Sequence, residues 1–313
     1  MYAYVLRRLL ATIPVMAVVA VFVFLLLHLA PGDPAAIIAG DYAQPADIAR
    51  IRTELGLDQP IYVQFWRWLW SLLHGDLGVS IFSGLPVTRL IAQRLQPTLA
   101  IASGTIVMAV MIAVPLGVIA AWKAGSWIDR LIMVFAVLGF SIPVFVIGYI
   151  FIYAFAIALP LFPVEGYAPI ERGIGPFLHT IFLPCFVLAI LYAALLARIT
   201  RASMLEILTE DYIRTAHAKG LSSRTVLVTH ALRNAAVPIA TVIGIGVALL
   251  LGGVVVTESV FNIPGLGRLT VDAILHRDYP VIQGLILVFS LIYVVVNLLI
   301  DLSYAVFDPR IRY

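Results

Sequence analysis

Apolar residues occur in six long runs along this chain, and shorter segments between the runs carry most of its charge. The runs lie near residues 9–30, 98–122, 131–159, 178–198, 236–257 and 281–307. Their lengths match the roughly 20 residues that an α-helix needs to cross a bilayer. Backbone groups in lipid must be satisfied within the segment, so each run is predicted to be a helix. The pattern therefore predicts an all-α polytopic membrane protein with six transmembrane helices.

Composition supports a membrane protein over a soluble one. Of the 313 residues, 62% are hydrophobic and only 12% are charged, whereas soluble domains have about 25% charged residues. Too little polar surface remains to cover a water-soluble globule, and the apolar surface must therefore face lipid. The single cysteine, Cys185, excludes an internal disulfide.

The distribution of positive charge predicts the orientation. Lys and Arg accumulate on the cytoplasmic side of membrane proteins. Most of the 20 Lys and Arg residues lie on the side of both termini, which predicts a cytoplasmic N-terminus and C-terminus. This divides the chain into an N-terminal transmembrane helix (1–30), an extracytoplasmic subdomain (31–97), a transmembrane core (98–307) containing a cytoplasmic loop (199–235), and a cytoplasmic tail (308–313).

An aromatic segment within the outer subdomain is predicted to be an amphipathic helix. It follows Pro60, contains Trp66, Trp68 and Trp70, and ends at Gly75. Trp and Tyr are enriched at the headgroup level of membranes, but they also pack small protein cores. The sequence leaves open whether this helix lies on the membrane or packs the subdomain.

The loop between the fourth and fifth runs contains the polar stretch RTAHAKGLSSRTVLVTHALRN, residues 214–234. Arg214, Lys219, Arg224 and Arg233 at mid-bilayer would cost roughly 10–14 kcal/mol in total. The stretch is therefore predicted to lie in the cytoplasm.

The chain leading into this stretch is predicted to be ordered, because Leu205, Leu208, Tyr212 and Ala216 follow a helical spacing. Gly220 suits the left-handed position after a helix end, and Ser222 suits the N-cap of a second helix. The result is a rigid basic elbow, which favours a docking face for a cytosolic partner over a solvated loop. A DNA-binding helix–turn–helix is disfavoured because both ends are tied to membrane helices.

The elbow resembles the cytoplasmic EAA-x-x-x-G loop of bacterial ABC importer permeases, in which Ala216 and Gly220 match the general pattern. The form RTA-x-AKGLS is similar to the peptide/nickel branch of that family. Six further blocks resemble the same branch in the same order: LLLHLAPGDP (25–34), LGLDQPIYVQFWRW (55–68), HGDLGVSI (74–81), RLQPTLAIA (94–102), TESVFNIPGLGRL (257–269) and DPRIRY (308–313).

The resemblance implies a type I ABC importer permease in the bacterial cytoplasmic (inner) membrane. It implies four partner subunits besides lipid: a second homologous permease, two cytoplasmic ATP-binding subunits, and an extracytoplasmic substrate-binding protein, with no nucleic acid. ATP and Mg²⁺ would bind the ATPase subunits, so this chain is expected to be neither an enzyme nor a cofactor carrier. The ATPase-coupling residues carried over by the resemblance are Arg214, Ala216, Lys219, Gly220, Leu221 and Arg224.

The energy source can also be considered from the residues alone. No G-x-x-x-x-G-K-[ST] phosphate loop occurs, so this chain is not predicted to hydrolyse ATP in that way. An ion-gradient carrier is disfavoured because such carriers place ionisable groups within the membrane, and these spans have few. A non-transporting membrane scaffold or sensor is a third class of function.

Within the family, di- and oligopeptides are the expected substrates, with nickel complexes or glutathione as alternatives. No metal-ligand cluster is apparent in the sequence.

Candidate pathway or gate residues are the polar positions in or beside the spans: Ser103, Ser141, Glu258, Asn297 and Asp301. Asn297 and Asp301 are four residues apart and share a helix face. Such groups either form hydrogen bonds between helices or line an aqueous cavity. Glu258 is expected near the outer gate or, alternatively, as a structural anion bonded to nearby backbone amides.

Overall fold

The computed structural model describes residues 2–29, 35–36, 44–54 and 56–307. Within these residues the chain is helical, and its extended pairing is limited to one isolated bridge between Val79 and Pro86. The all-α prediction is thereby confirmed. Residues 30–34 and 37–43 of the chain and the predicted tail 308–313 lie outside the described residues. In chain order the longer α-helices are α1 (Tyr2–Leu29), α2 (Pro45–Glu54), α3 (Ile61–Leu73), α4 (Val87–Trp122), α5 (Trp127–Ser141), α6 (Val144–Phe151), α7 (Ile174–Leu208), α8 (Asp211–Ala218), α9 (Arg233–Val260), α10 (Leu266–Leu275) and α11 (Tyr279–Phe307).

Five of the described helical segments are long and apolar enough to cross a membrane, and a bent pair makes a sixth if it is counted as one span. The five are Leu9–Leu26, Val87–Trp122, Ile174–Leu208, Ser223–Val247 and Tyr279–Leu302. The bent pair is Trp127–Ser141 with Val144–Ala158. The structure thus contains the six apolar regions that the sequence pattern predicts.

The third region differs from the single helix expected over 131–159. Its two halves are bent by 101°, and the break falls at Ile142 and Pro143. Proline sterically pushes the residue before it out of the helical region, and Ile142 accordingly has an extended ψ of 127°. The second half is itself irregular, because α6 continues as a π-helix over Ile152–Ala158.

The chain forms two compact units. The unit that comprises residues 2–95 and 269–294 contains a polar anchor at Asp278, which is buried. The Asp278 carboxylate accepts hydrogen bonds from the Ser80 hydroxyl at 2.5 Å and the Ile81 N–H at 3.1 Å. In the same unit the buried Gln283 amide donates to the Val23 carbonyl at 3.0 Å. These contacts satisfy polar groups that would otherwise be costly to bury.

The other unit comprises residues 96–268 and 295–313, of which 308–313 are not described. Its central element is α7. Of the most apolar 18-residue stretch of this helix, 67% is buried. The buried residues of α7 face two apolar clusters, one of which also includes α4, α9 and the segment between α7 and α9. This segment therefore shares a core with the membrane helices.

A close approach between α7 and α9 depends on Gly246. The Tyr192 hydroxyl donates to the carbonyls of Val242 and Ile243, at 3.1 and 2.8 Å. The Tyr192 ring then lies so close to Gly246 that an added Cβ would stand 1.9 Å from a ring carbon. Only a residue without a side chain fits under the ring.

Gly246→Ala is therefore expected to lower the free energy of unfolding by about 1–3 kcal/mol, the range for overpacking a core. Gly252→Ala on the same helix is the matched control, because an added Cβ there meets nothing within 4 Å. Thermal unfolding of both variants in detergent measures the difference. Equal stability of the two variants would contradict the packing described here.

Candidate functional site

The predicted elbow falls in the segment between α7 and α9, residues 209–232, and from here on the name refers to this whole segment. Its first part is α8, which begins after Glu210 and ends at Ala218. The Gly220 N–H donates to the His217 carbonyl at 2.9 Å, and the Leu221 N–H donates to the Ala216 carbonyl at 3.3 Å. These two bonds form a Schellman motif, which requires a left-handed residue at its centre. Gly220 supplies it with φ +79°.

The second part of the elbow turns back into α9. The Ser222 hydroxyl accepts a hydrogen bond from the Thr225 N–H at 3.3 Å, which is the N-cap that the sequence predicts. A π-helical segment over Val226–Leu232 then leads into α9. The Asn234 amide, at the start of α9, donates to the Tyr212 hydroxyl of α8 at 3.0 Å. The two arms of the elbow are thus held together by capping and by a cross-link.

The inner face of the elbow is part of the protein core. Its buried side chains are Ile213, Ala216, Val226, Leu227 and Ala231. They belong to the same hydrophobic cluster as residues of α4 and α7, including Ala113, Ala121, Leu196 and Met204. Since protein interiors are close-packed, a displacement of the elbow must move the helices that share its core.

The outer face of the elbow is polar and basic. Five of the six residues that the resemblance assigns to coupling are exposed: Arg214, Lys219, Gly220, Leu221 and Arg224. The sixth, Ala216, is buried and lies on the inner face. A spacing of three residues puts Ala216 on the helix face of Ile213, which points into the core.

An ion pair between α7 and α5 lies near the elbow, at the C-terminal end of α7. Arg201 binds Asp129 of α5 in a bidentate pair, with Nε–Oδ1 and Nη2–Oδ2 distances of 2.5 and 2.7 Å. The Gly125 N–H also donates to the Asp129 carboxylate at 3.0 Å. Asp129 is buried, while about a quarter of the Arg201 side chain is exposed. The pair fixes the start of α5 against the part of α7 that leads into the elbow.

Asp129→Ala is expected to lower the free energy of unfolding by about 1–3 kcal/mol, because it leaves the Arg201 guanidinium and the Gly125 N–H without their partner. The exposed pair of Asp211 and Arg214 within α8 is the control, since exposed ion pairs contribute little. Asp211→Ala should therefore unfold at the wild-type temperature. If the two variants proved equally stable, the Arg201 pair would not be an anchor.

The five candidate pathway residues lie on four helices. The Ser103 hydroxyl donates to the Leu99 carbonyl at 2.7 Å, and the Ser141 hydroxyl donates to the Val137 carbonyl at 2.8 Å. Both bonds stay within one helix, which is the usual way to satisfy a hydroxyl in an apolar helix. Asn297 and Asp301 are half-buried on α11.

Glu258 lies in the last turn of α9 and is fully buried. Its carboxylate accepts from the Thr98 hydroxyl at 2.6 Å and from the Arg268 N–H at 3.0 Å. The Thr98 hydroxyl in turn accepts from the Leu266 N–H at 2.8 Å. An added Cβ at Gly265 would lie 2.1 Å from the carboxylate. This arrangement is what a structural anion requires, since a buried charge must be hydrogen-bonded.

Three residues whose side chains form these networks, Thr98, Asp129 and Arg201, were not among the candidates from the sequence. Asp129 follows Ser126 by three residues, the spacing that marks a helix start, so a local signal for the α5 cap does exist. Nothing local indicates that Asp129 pairs with Arg201, 72 residues later, or that Thr98 meets Glu258. Among the described residues, no group of three or more His, Cys, Asp or Glu could hold a metal ion.

Comparison with known proteins covers both halves of the chain. Residues 113–313 match the family described as binding-protein-dependent transport system inner membrane component, and residues 1–102 match the N-terminal region of such components. The two matches together include α1, the elbow, the Asp129–Arg201 pair and the Glu258 network.

Relatives are similar over their whole length. A probable peptide ABC transporter permease protein, y4tP, of Sinorhizobium fredii is 54% identical, and a putative peptide transport system permease protein of Brucella abortus is 46% identical. The glutathione transport system permease protein GsiC of Salmonella paratyphi A is also 46% identical. Each alignment covers 100% of this chain and 100% of the relative. The chain is a multi-pass inner membrane protein and belongs to the family of binding-protein-dependent transport system inner membrane components.

Proposed function

We propose that this chain is one of two permease subunits of an ATP-driven importer that takes up di- and oligopeptides. A second, related permease completes the pathway. Two cytoplasmic subunits bind ATP and Mg²⁺ and hydrolyse the nucleotide, and an extracytoplasmic protein delivers the substrate. This chain itself binds no cofactor.

The observation that carries the proposal is the two-sided elbow. Its outer face presents Arg214, Lys219 and Arg224 to solvent, and its inner face is buried with the residues of α4 and α7. A passive loop would not need both an exposed basic face and a buried apolar one. The elbow is thus built to receive a partner on one side and to move membrane helices on the other.

A stiff elbow can transmit the free energy that gating requires. Switching a two-state gate from 1:99 to 99:1 requires about 5.5 kcal/mol of differential binding. An ATPase dimer that closes on nucleotide supplies this through a stiff connection but not through a floppy one. The Schellman motif at Gly220, the Ser222 cap and the Asn234–Tyr212 bond supply that stiffness.

Peptide uptake is supported by the full-length likeness to permeases that carry a peptide name. Glutathione is the second candidate, because permeases named for it are 46% identical to this chain. Nickel complexes are a third alternative. The substrate-binding protein is expected to make most of the selection, so the permease alone does not distinguish these solutes.

Reconstitution tests the proposal directly. The chain is placed in liposomes with its cognate permease, ATPases and binding protein, and uptake of a labelled dipeptide and of labelled glutathione is measured. We expect dipeptide uptake that requires hydrolysable ATP and persists when ionophores collapse ion gradients. Uptake without ATP, or uptake abolished by an ionophore, would overturn the energy source. Uptake of glutathione but not of any peptide would overturn the substrate.

A further inference from the structure

Helix α3 has three distinct faces. One face packs against α1, through Phe65 and Trp68. A second face is polar and exposes Arg67 and Ser71. The third face is apolar yet exposed, and it consists of Tyr62, Trp66, Trp70 and Leu73, with exposed fractions of 65, 65, 67 and 72%.

The apolar exposed face forms a continuous stripe. At about 100° per residue, its four members fall within an arc of roughly 80° on the helix. The packed face borders the stripe on one side and the polar face lies beyond it on the other. The stripe is therefore a surface of the folded unit, and the packing of α3 against α1 does not use it.

The contacts between α3 and α1 fix the depth of α3 in the membrane. The apolar sequence of α1 continues to Leu27 and is followed by the polar residue His28. Phe24, just inside that end, contacts Phe65 and Trp68 with ring centroids 5.2 and 5.7 Å apart. His28, just outside it, lies with its Nε2 3.2 Å from the Gln64 Oε1. Helix α3 thus meets α1 at the end of the apolar run of α1.

We infer that α3 is an interfacial helix, which inserts the stripe of Tyr62, Trp66, Trp70 and Leu73 into the lipid headgroup region and turns Arg67 and Ser71 to water. Trp and Tyr are the side chains that favour this level, because their rings are apolar and each carries one polar group. Helices of this kind bury their apolar face about 5–10 Å into the boundary of headgroups and acyl chains.

Lipid is favoured over a protein partner by the surroundings of the stripe. Helix α3 packs against α1, and only 17% of the apolar stretch Leu9–Leu26 of α1 is buried. This low burial is expected of a helix that faces lipid. A partner protein docking from water would meet the polar face of α3 first. The stripe faces sideways from that polar face, at the depth where the lipid headgroups lie.

Spin labels on the full-length chain test this inference. Cys185, the only cysteine, is replaced by alanine, and the chain is reconstituted in phosphatidylethanolamine/phosphatidylglycerol vesicles. Labels are placed at Trp66→Cys and Trp70→Cys on the stripe, and at the adjacent Arg67→Cys and Ser71→Cys as matched controls. Collisions with oxygen, which concentrates in lipid, are compared with collisions with a water-soluble nickel complex.

We expect the ratio of oxygen to nickel collisions to be several-fold higher at the two stripe positions than at the two controls. Equal ratios at all four positions would overturn the inference. So would stripe labels that become shielded only when the second permease or the binding protein is added, because a protein would then cover the stripe.

Tryptophan fluorescence gives a second measurement that needs no label. Brominated lipids should quench the full chain, and the double variant Trp66→Phe, Trp70→Phe should lose much of that quenching. Trp68→Phe, on the face packed against Phe24, should lose little. An equal loss in both variants would contradict the lipid contact. Neither measurement depends on substrate uptake, so their failure is distinguishable from failure of the proposed function.

Discussion

Replacing Gly220 with proline is expected to abolish ATP-driven uptake while the chain still folds and inserts. Gly220 has φ +79°, whereas proline is locked near −65°. Proline also lacks the N–H that donates to the His217 carbonyl. The Schellman motif is then lost, and α8 no longer points in a fixed direction from the rest of the elbow. A loss of only about 1.4 kcal/mol of coupling lowers the gating equilibrium about tenfold.

The fold should tolerate this change, because Gly220 is exposed and an added Cβ meets nothing within 4 Å. Gly220→Ala should be milder, since a left-handed alanine costs about 1–2 kcal/mol. Uptake, ATPase co-purification and insertion are measured on the same reconstituted complex.

The matched control for Gly220→Pro is Gly75→Pro, at the end of α3. Gly75 also has φ +79° and open space around it. Its N–H donates to the Leu72 carbonyl, and the Asp76 N–H donates to the Ser71 carbonyl, so the motif is the same. If coupling depends on the elbow, Gly75→Pro keeps ATP-driven uptake and Gly220→Pro does not. Wild-type uptake in Gly220→Pro, or equal loss in both variants, would count against the coupling role.

Removing the Glu258 carboxylate is expected to give the largest loss of stability. Glu258→Ala leaves the Thr98 hydroxyl and the Arg268 N–H without their shared acceptor and opens a cavity. Hydrogen bonds to charged groups contribute about 1.5–3 kcal/mol each, so we expect a decrease of about 2–5 kcal/mol in the free energy of unfolding. Glu258→Gln keeps the shape and one acceptor oxygen and should lose less. Thermal unfolding in detergent measures both.

The control for Glu258 is Glu165, an exposed carboxylate whose hydrogen bond comes from the Asn262 amide. Glu165→Ala should unfold like the wild type. A structural role also predicts that Glu258→Gln retains uptake per folded molecule. Wild-type stability together with lost uptake in Glu258→Ala would instead identify Glu258 as a gate residue.

The elbow illustrates how far local pattern extends. Gly220 and Ser222 were predicted as a left-handed helix end and an N-cap, and the structure has both, because capping depends on residues only a few positions apart. Ala216 belonged to the same motif, yet it faces the core. Its direction depends on where α4 and α7 lie, which no local spacing encodes.

The hydrogen-bond networks between helices could not be predicted from the sequence either, because their partners are far apart in the chain. Asp129 and Arg201 are 72 residues apart, and Thr98 and Glu258 are 160 apart. In neither pair does the sequence around one residue identify its partner. The break at Pro143 could be predicted only in part. Proline predicts a disturbance in the helix, but it does not predict a bend of 101°.

The sequence by itself determined that this protein is a bundle of membrane helices with a basic, capped elbow. Hydrophobic transfer and backbone hydrogen bonding act over single segments, so one segment is enough to recognise them. The tertiary structure decided which face of the elbow is buried, which charges are paired, and which face of α3 is left exposed. These features depend on contacts between segments far apart in the chain, and only packing brings those segments together.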